Sequence, residues 1–213
     1  MDPAVRQYYV NNAREEMLPY LPPSTRRLLE LGCANGRFGA LVKQRRGATV
    51  WGIELDPECA PIAAANLDRL ITGDVFAALP ELPDHHFDAV VANDLLEHLV
   101  DPGRLLVELK RVLVPGGHLV ASVPNVRYAA VLFDLVVRGD FPYADWGILD
   151  RTHLRFFTRK SFTRLLDESG YAVERFEGLT LPLGRLGRLA AHLAVGPLEE
   201  LRYLQFACTA RVR

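Results

Sequence analysis

Five short apolar runs punctuate the first 122 residues, with helical stretches between them: RRLLEL, ATVWGIEL, RLIT, FDAVVAN and HLVASV. Runs of this length, rich in Val, Ile and Leu, predict buried strands, and the helices between them predict βαβ units and a parallel sheet. RRLLEL ends in a Gly-rich turn and a helical stretch to about Arg46. Asp56-Pro57-Glu58 opens the next helix with a cap residue, a proline suited to the first turn and an early acid. Another helix runs from Pro102 to Leu113. Before the first strand, residues 3–18 predict a helix capped by Asp2, with Pro3 in its first turn and the Pro19–Pro23 stretch as its stop. After Ser122 the pattern changes. Residues 125–138 read as helical, 139–157 as irregular and aromatic-rich, and Lys160–Ser169 as a helix stopped by Gly170. YAVERFEGL and YLQFACTARV are the last strands, flanking a helix at about 185–202. The expectation is one α/β domain over residues 1–213, with an N-terminal helical cover (1–24) and an insertion (125–160).

Composition narrows the class. A chain of 213 residues, 49% hydrophobic and 24% charged, can bury a core without a metal or disulfide. A net charge of -1 excludes a dedicated nucleic-acid binder, which carries a basic excess. Cys33, Cys59 and Cys208 are odd in number and form no C-x-x-C, so free thiols in a reducing compartment are expected. The opening MDPAVRQYYVNNAREEM has no apolar core, as a signal peptide would. AAVLFDLVV, the most apolar stretch, is too short to span a bilayer and carries Asp134. The expected setting is cytoplasmic, with no transmembrane segment.

Chemistry-bearing residues fall at the strand ends. Glu30-Leu31-Gly32-Cys33-Ala34-Asn35-Gly36 joins the first strand to its helix, and glycine there lets backbone approach a ligand closely. Glu54 ends the second strand twenty-two residues after Gly32, near the interval of about 20 for an acid that accepts from ribose hydroxyls. Gly73-Asp74-Val75 ends the third strand; a carboxylate there can accept from an adenine amino group while the next N–H meets a ring nitrogen. FDAVVANDLLEHL ends its strand at Asn93-Asp94, with Glu97-His98 following, and Pro115-Gly116-Gly117 makes a tight turn into the fifth strand.

In this order and spacing, LELGCANG, VWGIELD, ITGDVF, FDAVVANDLLEHL and LVPGGHLVASVPN resemble the Rossmann-like class of S-adenosylmethionine-dependent methyltransferases over nearly the whole chain. The resemblance implies a seven-stranded sheet in order 3-2-1-4-5-7-6, last strand antiparallel, with helices on both faces. It implies S-adenosyl-L-methionine as cofactor and S-adenosyl-L-homocysteine as product. It assigns the methionine end to Gly32, Ala34 and Gly36 beside Glu30, the ribose to Glu54 beside Leu55, the adenine to Asp74 and Val75, and contacts near the sulfonium to Asn93. The family's middle glycine is Ala34 here, which crowds that turn. RQYYVNNAREEML, SVPNVRY and GDFPYADWGILDRTHLRFFTRKSF are similar to a narrower bacterial subgroup. In it the N-terminal helix, with Tyr8, Tyr9 and Arg14, covers the cofactor.

Methyl transfer to oxygen gains from a base that takes the hydroxyl proton. His153 is the expected base, with Asp150 orienting it or acting directly, and His98 is its rival. His85 and His86 read as exposed in a polar turn, His118 and His192 lack ligand spacing, and no metal site is expected although Asp94, Glu97 and His98 lie close in sequence. Phe141, Tyr143, Trp146, Phe156 and Phe157 are the expected acceptor wall. The expected acceptor is a small molecule or a sugar. Residues 1–150 carry 14 Lys+Arg and 20 Asp+Glu, residues 151–213 carry 11 and 6, so an anionic acceptor bound by Arg151 and Arg155 is a further expectation. A NAD(P)-dependent oxidoreductase shares the glycine turn and ribose acid, but the turn is G-x-A-x-G rather than G-x-G-x-x-G. A non-catalytic cofactor-binding protein is the other alternative.

Overall fold

The computed structural model describes residues 3–179 and 196–213, apart from the side chains at positions 4, 5, 8, 9, 196 and 197. The apolar runs become seven strands: β1 (Arg27–Leu31), β2 (Thr49–Glu54), β3 (Arg69–Thr72), β4 (Phe87–Asn93), β5 (Leu113–Pro124), β6 (Tyr171–Leu179) and β7 (Gln205–Val212). The main helices are α1 (Pro3–Asn11), α2 (Arg37–Arg46), α3 (Ala60–Asn66), α4 (Val75–Ala78), α5 (Pro102–Val112), α6 (Ala129–Phe133) and α7 (Arg159–Glu168). The sheet order is β3-β2-β1-β4-β5-β7-β6. Strands β1 to β5 pair in parallel, and β7 runs antiparallel to both β5 and β6. Order and direction are those implied by the motifs.

Side chains alternate between the two faces, as the pleat requires. Leu29, Leu31, Val90, Ala92, Leu119 and Ala121 pack on one face with Leu105 and Leu109 of α5 and Phe162 and Leu166 of α7. Leu28, Val50, Ala89, Val91 and Val120 pack on the other with Phe38 and Val42 of α2 and Ala63 of α3. Each of the Val, Leu and Phe side chains contributes about 1.5–3 kcal/mol on burial, the alanines less. The parallel strands therefore end side by side, with their carboxyl ends on one edge, where ligands bind in open α/β sheets.

Three local expectations are corrected. The helix expected over 3–18 breaks after Asn11: Asn12 Oδ1 accepts the Arg14 N–H at 3.0 Å, Arg14 is left-handed with φ 47°, and a 3₁₀ stretch runs Glu15–Tyr20. A short side chain that bonds its own backbone offers an alternative to the helix. The fifth strand begins at Leu113, earlier than HLVASV. Its pairing jumps from Phe87–Leu113 to Ala89–His118, so Pro115-Gly116-Gly117 bulges between two paired stretches. Asp56 accepts the Glu58 N–H at 2.9 Å but opens a turn, and α3 starts only at Ala60. Asp2, and residues 185–195 of the helix expected at about 185–202, lie outside the described residues; a 3₁₀ stretch, Gly196–Arg202, leads into β7. No helix among the described residues is long and apolar enough to cross a membrane.

Candidate active site

The turn after β1 is built from backbone that side chains rarely tolerate. Gly32, Ala34 and Gly36 have φ of 63°, 46° and 68°. A Cβ on Gly36 would lie 3.1 Å from Leu67 and 3.3 Å from the Ala63 backbone, so that glycine also lets the turn pack on α3. Ala34 adopts the left-handed conformation despite its methyl group, at a cost of about 1–2 kcal/mol.

The carboxylate at the end of β2 anchors this turn. Glu54 is 8% exposed, and its Oε2 accepts the Ala34 N–H at 2.6 Å while Oε1 accepts the Asp56 N–H at 2.8 Å. Each oxygen keeps further acceptor capacity, enough for a pair of hydroxyls. Beneath it Glu30 is buried and accepts the Gly39 N–H at 3.0 Å. Burial pushes the Glu30 carboxyl up to about 8, against the lowering effect of that hydrogen bond. Asn35 donates to Asn11 Oδ1 at 3.1 Å, tying the turn to the end of α1, while its own Oδ1 is buried without a partner.

The neighbouring strand ends supply more polar groups. Asp74 caps α4, its Oδ1 accepting from Phe76 N at 2.9 Å and Ala77 N at 3.3 Å, which leaves Oδ2 available. The Val75 N–H, first in that helix, has no intrahelical acceptor. Leu55 is exposed beside Glu54. Asn93, last in β4, buries both amide atoms with no hydrogen-bond partner among the described residues. An orphaned buried amide costs about 1–3 kcal/mol, and a bound polar ligand removes that cost.

The N-terminal segment closes on the same edge. Arg14 forms an ion pair with Asp94 and donates to Ser122 Oγ at 3.2 Å and Gln205 Oε1 at 3.3 Å. Asp94 Oδ1 in turn accepts from Ser122 Oγ at 2.9 Å and Gln205 Nε2 at 3.1 Å. Burial works against the Arg14 charge, but Asp94 and Glu16 outweigh it and raise the group above its ordinary value. The side chains of Tyr8 and Tyr9 lie outside the described residues.

A second group of side chains forms where the insertion crosses the end of β4. The Leu154 and Arg155 N–H groups donate to the Glu97 carbonyl at 2.8 and 3.0 Å, which draws GILDRTHLRFF over Glu97 and His98. The His98 and His153 rings stand edge to face, 4.7 Å between centroids. One ligand atom from each of Glu97, His98 and His153 lies within 4.8 Å of the others, a juxtaposition that a 55-residue separation hid from spacing arguments. The Glu97 carboxyl is buried with no partner for either oxygen, and burial, with Asp94 adding to it, raises it well above the ordinary carboxylate range. His153 Nδ1 faces the Ile148 carbonyl at 3.0 Å. Asp150 does not reach the His153 ring by a hydrogen bond: its Oδ1 accepts from Thr152 N at 2.8 Å and Thr152 Oγ at 2.7 Å. No spacing signal points to Thr152, whose hydroxyl matters only through this loop's geometry.

The aromatic insertion divides in two. Phe141 packs edge to face with Tyr143 and Phe156, both at 5.4 Å, and Phe156 with His153 at 6.3 Å, a wall beside the imidazoles. Phe157 instead belongs to the core, against Phe162, and Trp146 is exposed. Arg151 is paired with Asp145 at 2.8 Å, and Arg155 donates to the Val100 carbonyl, so both expected anion-binding cations are engaged.

A mixed sheet of this order, parallel over β1 to β5 and antiparallel at β7, with a left-handed glycine turn after β1 and an acid ending β2, defines the class of nucleotide-cofactor α/β domains to which methyltransferases belong. Residues 4–175 match the family described as Methyltransferase domain, and the chain belongs to that family. It is similar to a ubiquinone biosynthesis O-methyltransferase of Pseudomonas fluorescens (strain SBW25), 33% identical over 52% of this chain and 50% of that protein. A ubiquinone biosynthesis O-methyltransferase of Thiobacillus denitrificans is 27% identical over 85% of this chain and 80% of that protein. The chain spans about half the length of the first of these relatives. In fold it is similar to a SAM-dependent methyltransferase from Archaeoglobus fulgidus, with TM-score 0.66 and 19% identity, covering 97% of this chain and 94% of that one.

Proposed function

We propose that the protein is an S-adenosylmethionine-dependent O-methyltransferase of the bacterial subgroup carrying GILDRTHLRFFT, acting on a hydroxyl of a small molecule or sugar. The observation that carries this reading is Glu54 locked against the Gly32–Gly36 turn while Asn93, on the next strand end but one, holds an unpartnered buried amide. These groups fit a cofactor with a ribose and a polar tail. When bound, S-adenosylmethionine supplies an electrophilic methyl carbon on a sulfonium sulfur. Glu54 would accept from the ribose hydroxyls, Asp74 Oδ2 and the Val75 N–H would meet the adenine edge, and the Gly32–Gly36 turn with Glu30 would hold the methionine end. Arg14 and the segment it pins exclude water, which strengthens the electrostatics inside the site.

The imidazole pair beside the aromatic wall suits an oxygen nucleophile, whose proton must leave as the O–C bond forms. The relatives named as O-methyltransferases support the same atom choice. Asp150 lies in the same loop, bonded to the Thr152 hydroxyl, and placement in line with the methyl carbon supplies the larger share of the rate, up to about 7–11 kcal/mol in well-oriented cases. Residues 125–160 form the acceptor side of this domain. A cytoplasmic setting is supported by three cysteines that are all free and buried. An anionic acceptor keeps the support of the basic excess after residue 150, though Arg151 and Arg155 do not offer it a free cation.

The test is transfer of an isotopically labelled methyl group to a panel of hydroxylated phenols and sugars. Label in an O-methyl product is expected. Label on nitrogen or carbon only, or none with any acceptor despite tight cofactor binding, would overturn the assignment.

A further inference from the structure

Hydrogen-bond bookkeeping around Thr152 distinguishes the two imidazoles. The Thr152 hydroxyl has one proton and two neighbours, Asp150 Oδ1 at 2.7 Å and His98 Nδ1 at 3.2 Å. Burial works to raise the Asp150 carboxyl, but the hydrogen bonds from Thr152 outweigh it and hold Asp150 below its ordinary range, so it is an ionised acceptor at neutral pH. An ionised carboxylate has no proton to give, so the hydroxyl proton points to Asp150. Thr152 Oγ then has only lone pairs to offer, and the His98 Nδ1 must carry the proton of their contact. The outer nitrogen of a neutral His98, Nε2, is left as a lone pair, and no group among the described residues hydrogen-bonds to it. His153, by contrast, spends its Nδ1 proton on the Ile148 carbonyl, a neutral group that gives an imidazolium little help.

We propose that Asp150 and Thr152 are positioning residues of a relay, Asp150–Thr152–His98, that fixes His98 as the Nδ1–H tautomer and makes its Nε2 the base for the acceptor hydroxyl. This rests on the methyl-transfer reading. As the acceptor oxygen bonds to the methyl carbon, its proton passes to His98 Nε2. The C–S bond breaks and its electron pair returns to sulfur, which leaves neutral. His98 becomes an imidazolium whose charge is met by Asp150 through the Thr152 hydroxyl.

The groups facing His98 agree with a base that is neutral before reaction. Burial first, then His153, lowers it from its ordinary value, while Asp150, the Thr152 backbone and Asp94 pull the other way. Glu97, in the same cluster, is raised well above the ordinary carboxylate range, chiefly by its burial. His98 is the rival base of the sequence reading, and the hydroxyl that could orient it arrives from the insertion, 54 residues on.

Two measurements separate this relay from a structural loop contact. The first is the ¹⁵N imidazole spectrum of the unliganded protein, which reads the tautomer without any turnover. His98 is expected as Nδ1–H in the wild type and in Thr152→Ser, and to lose that preference in Thr152→Val. The second is the pH profile of kcat/KM. Thr152→Val should lower kcat about tenfold and move the acidic limb to lower pH, because the imidazolium loses its link to Asp150. Thr152→Ser should restore both, and His98→Gln should cost about 10²–10⁴-fold in kcat with little change in the KM for the methyl donor. An Nε2–H tautomer in an active wild type overturns the relay, as does a Thr152→Val enzyme with an unmoved limb. Turnover that stops with a chelator and returns with a divalent cation alone would make the cluster a metal site and also overturn it. The expected tautomer with no methyl transfer to any acceptor would instead overturn the functional reading beneath it.

Discussion

Arg14 and Asp94, 80 residues apart in the chain, form an ion pair at the carboxyl end of β4, with the two side chains only 13% and 19% exposed. Asp94 sits in a left-handed conformation at φ 50°, and so does Arg14 at 47°. Two residues that each hold an uncommon backbone geometry thus meet at one point, where the N-terminal segment closes on the candidate cofactor site. Asn35 and Asn11 make a second tie from the same segment to the β1 turn.

If that closure serves binding, Arg14→Met should weaken it without unfolding the sheet. Asp94 would keep Ser122 and Gln205 as donors, so the stability loss should be about 1–3 kcal/mol. Hydrogen exchange over residues 3–20 should speed up while the β4 and β5 amides stay protected, and the KM for the methyl donor should rise more than kcat falls. Unchanged exchange over 3–20 would show that the ion pair does not hold the segment.

The turn after β1 makes a prediction of opposite signs at neighbouring positions. Ala34→Gly relieves a left-handed alanine and, after the greater freedom of glycine in the unfolded chain, should leave stability equal or raise it by up to about 1 kcal/mol. Gly36→Ala adds a methyl group at φ 68°, where the new Cβ would lie 3.1 Å from Leu67, and should cost at least about 1–2 kcal/mol. Denaturant midpoints of the two variants check this; a Gly36→Ala protein as stable as the wild type would refute the close packing.

Glu30 gives stability a pH dependence. Its folded value near 8 lies above the 4.5 of an exposed glutamate, so the folded state holds the proton more tightly. Its contribution is fully present below about pH 4.5, and is lost as pH rises towards 8, a change on the order of a few kcal/mol. Glu97, also raised, acts in the same direction. Glu30→Gln in the cofactor-free protein should therefore flatten the fall in stability between pH 5 and 8. A pH profile of unfolding free energy that is the same for both proteins would count against a buried, protonated Glu30.

Much of this was legible in the chain because it is local. FDAVVAN is β4 to the residue, and the strand-end positions of Glu54, Asp74 and Asn93 follow from where each apolar run stops. The sheet order came from motif resemblance rather than periodicity, since βαβ units alone do not say where β7 inserts. The missed features are non-local or depend on one side chain's choice of partner. Asn12 breaks the first helix by bonding Arg14 N–H, a competition that helix periodicity does not register. Phe157 looked like its aromatic neighbours but turns inward to Phe162. Asp150 looked placed for His153, three residues on, and bonds Thr152 instead.

The central claim, a methyl-donor site anchored by Glu54, is tested most directly by calorimetric titration with S-adenosylhomocysteine. The wild type should bind one equivalent, NAD should give no heat, and Glu54→Ala should lose binding by at least about tenfold, the loss of one charge-assisted hydrogen bond to the ribose. Its far-UV spectrum should match the wild type, showing the sheet intact. Binding of NAD in preference to S-adenosylhomocysteine, or undiminished affinity in a folded Glu54→Ala protein, would contradict the account.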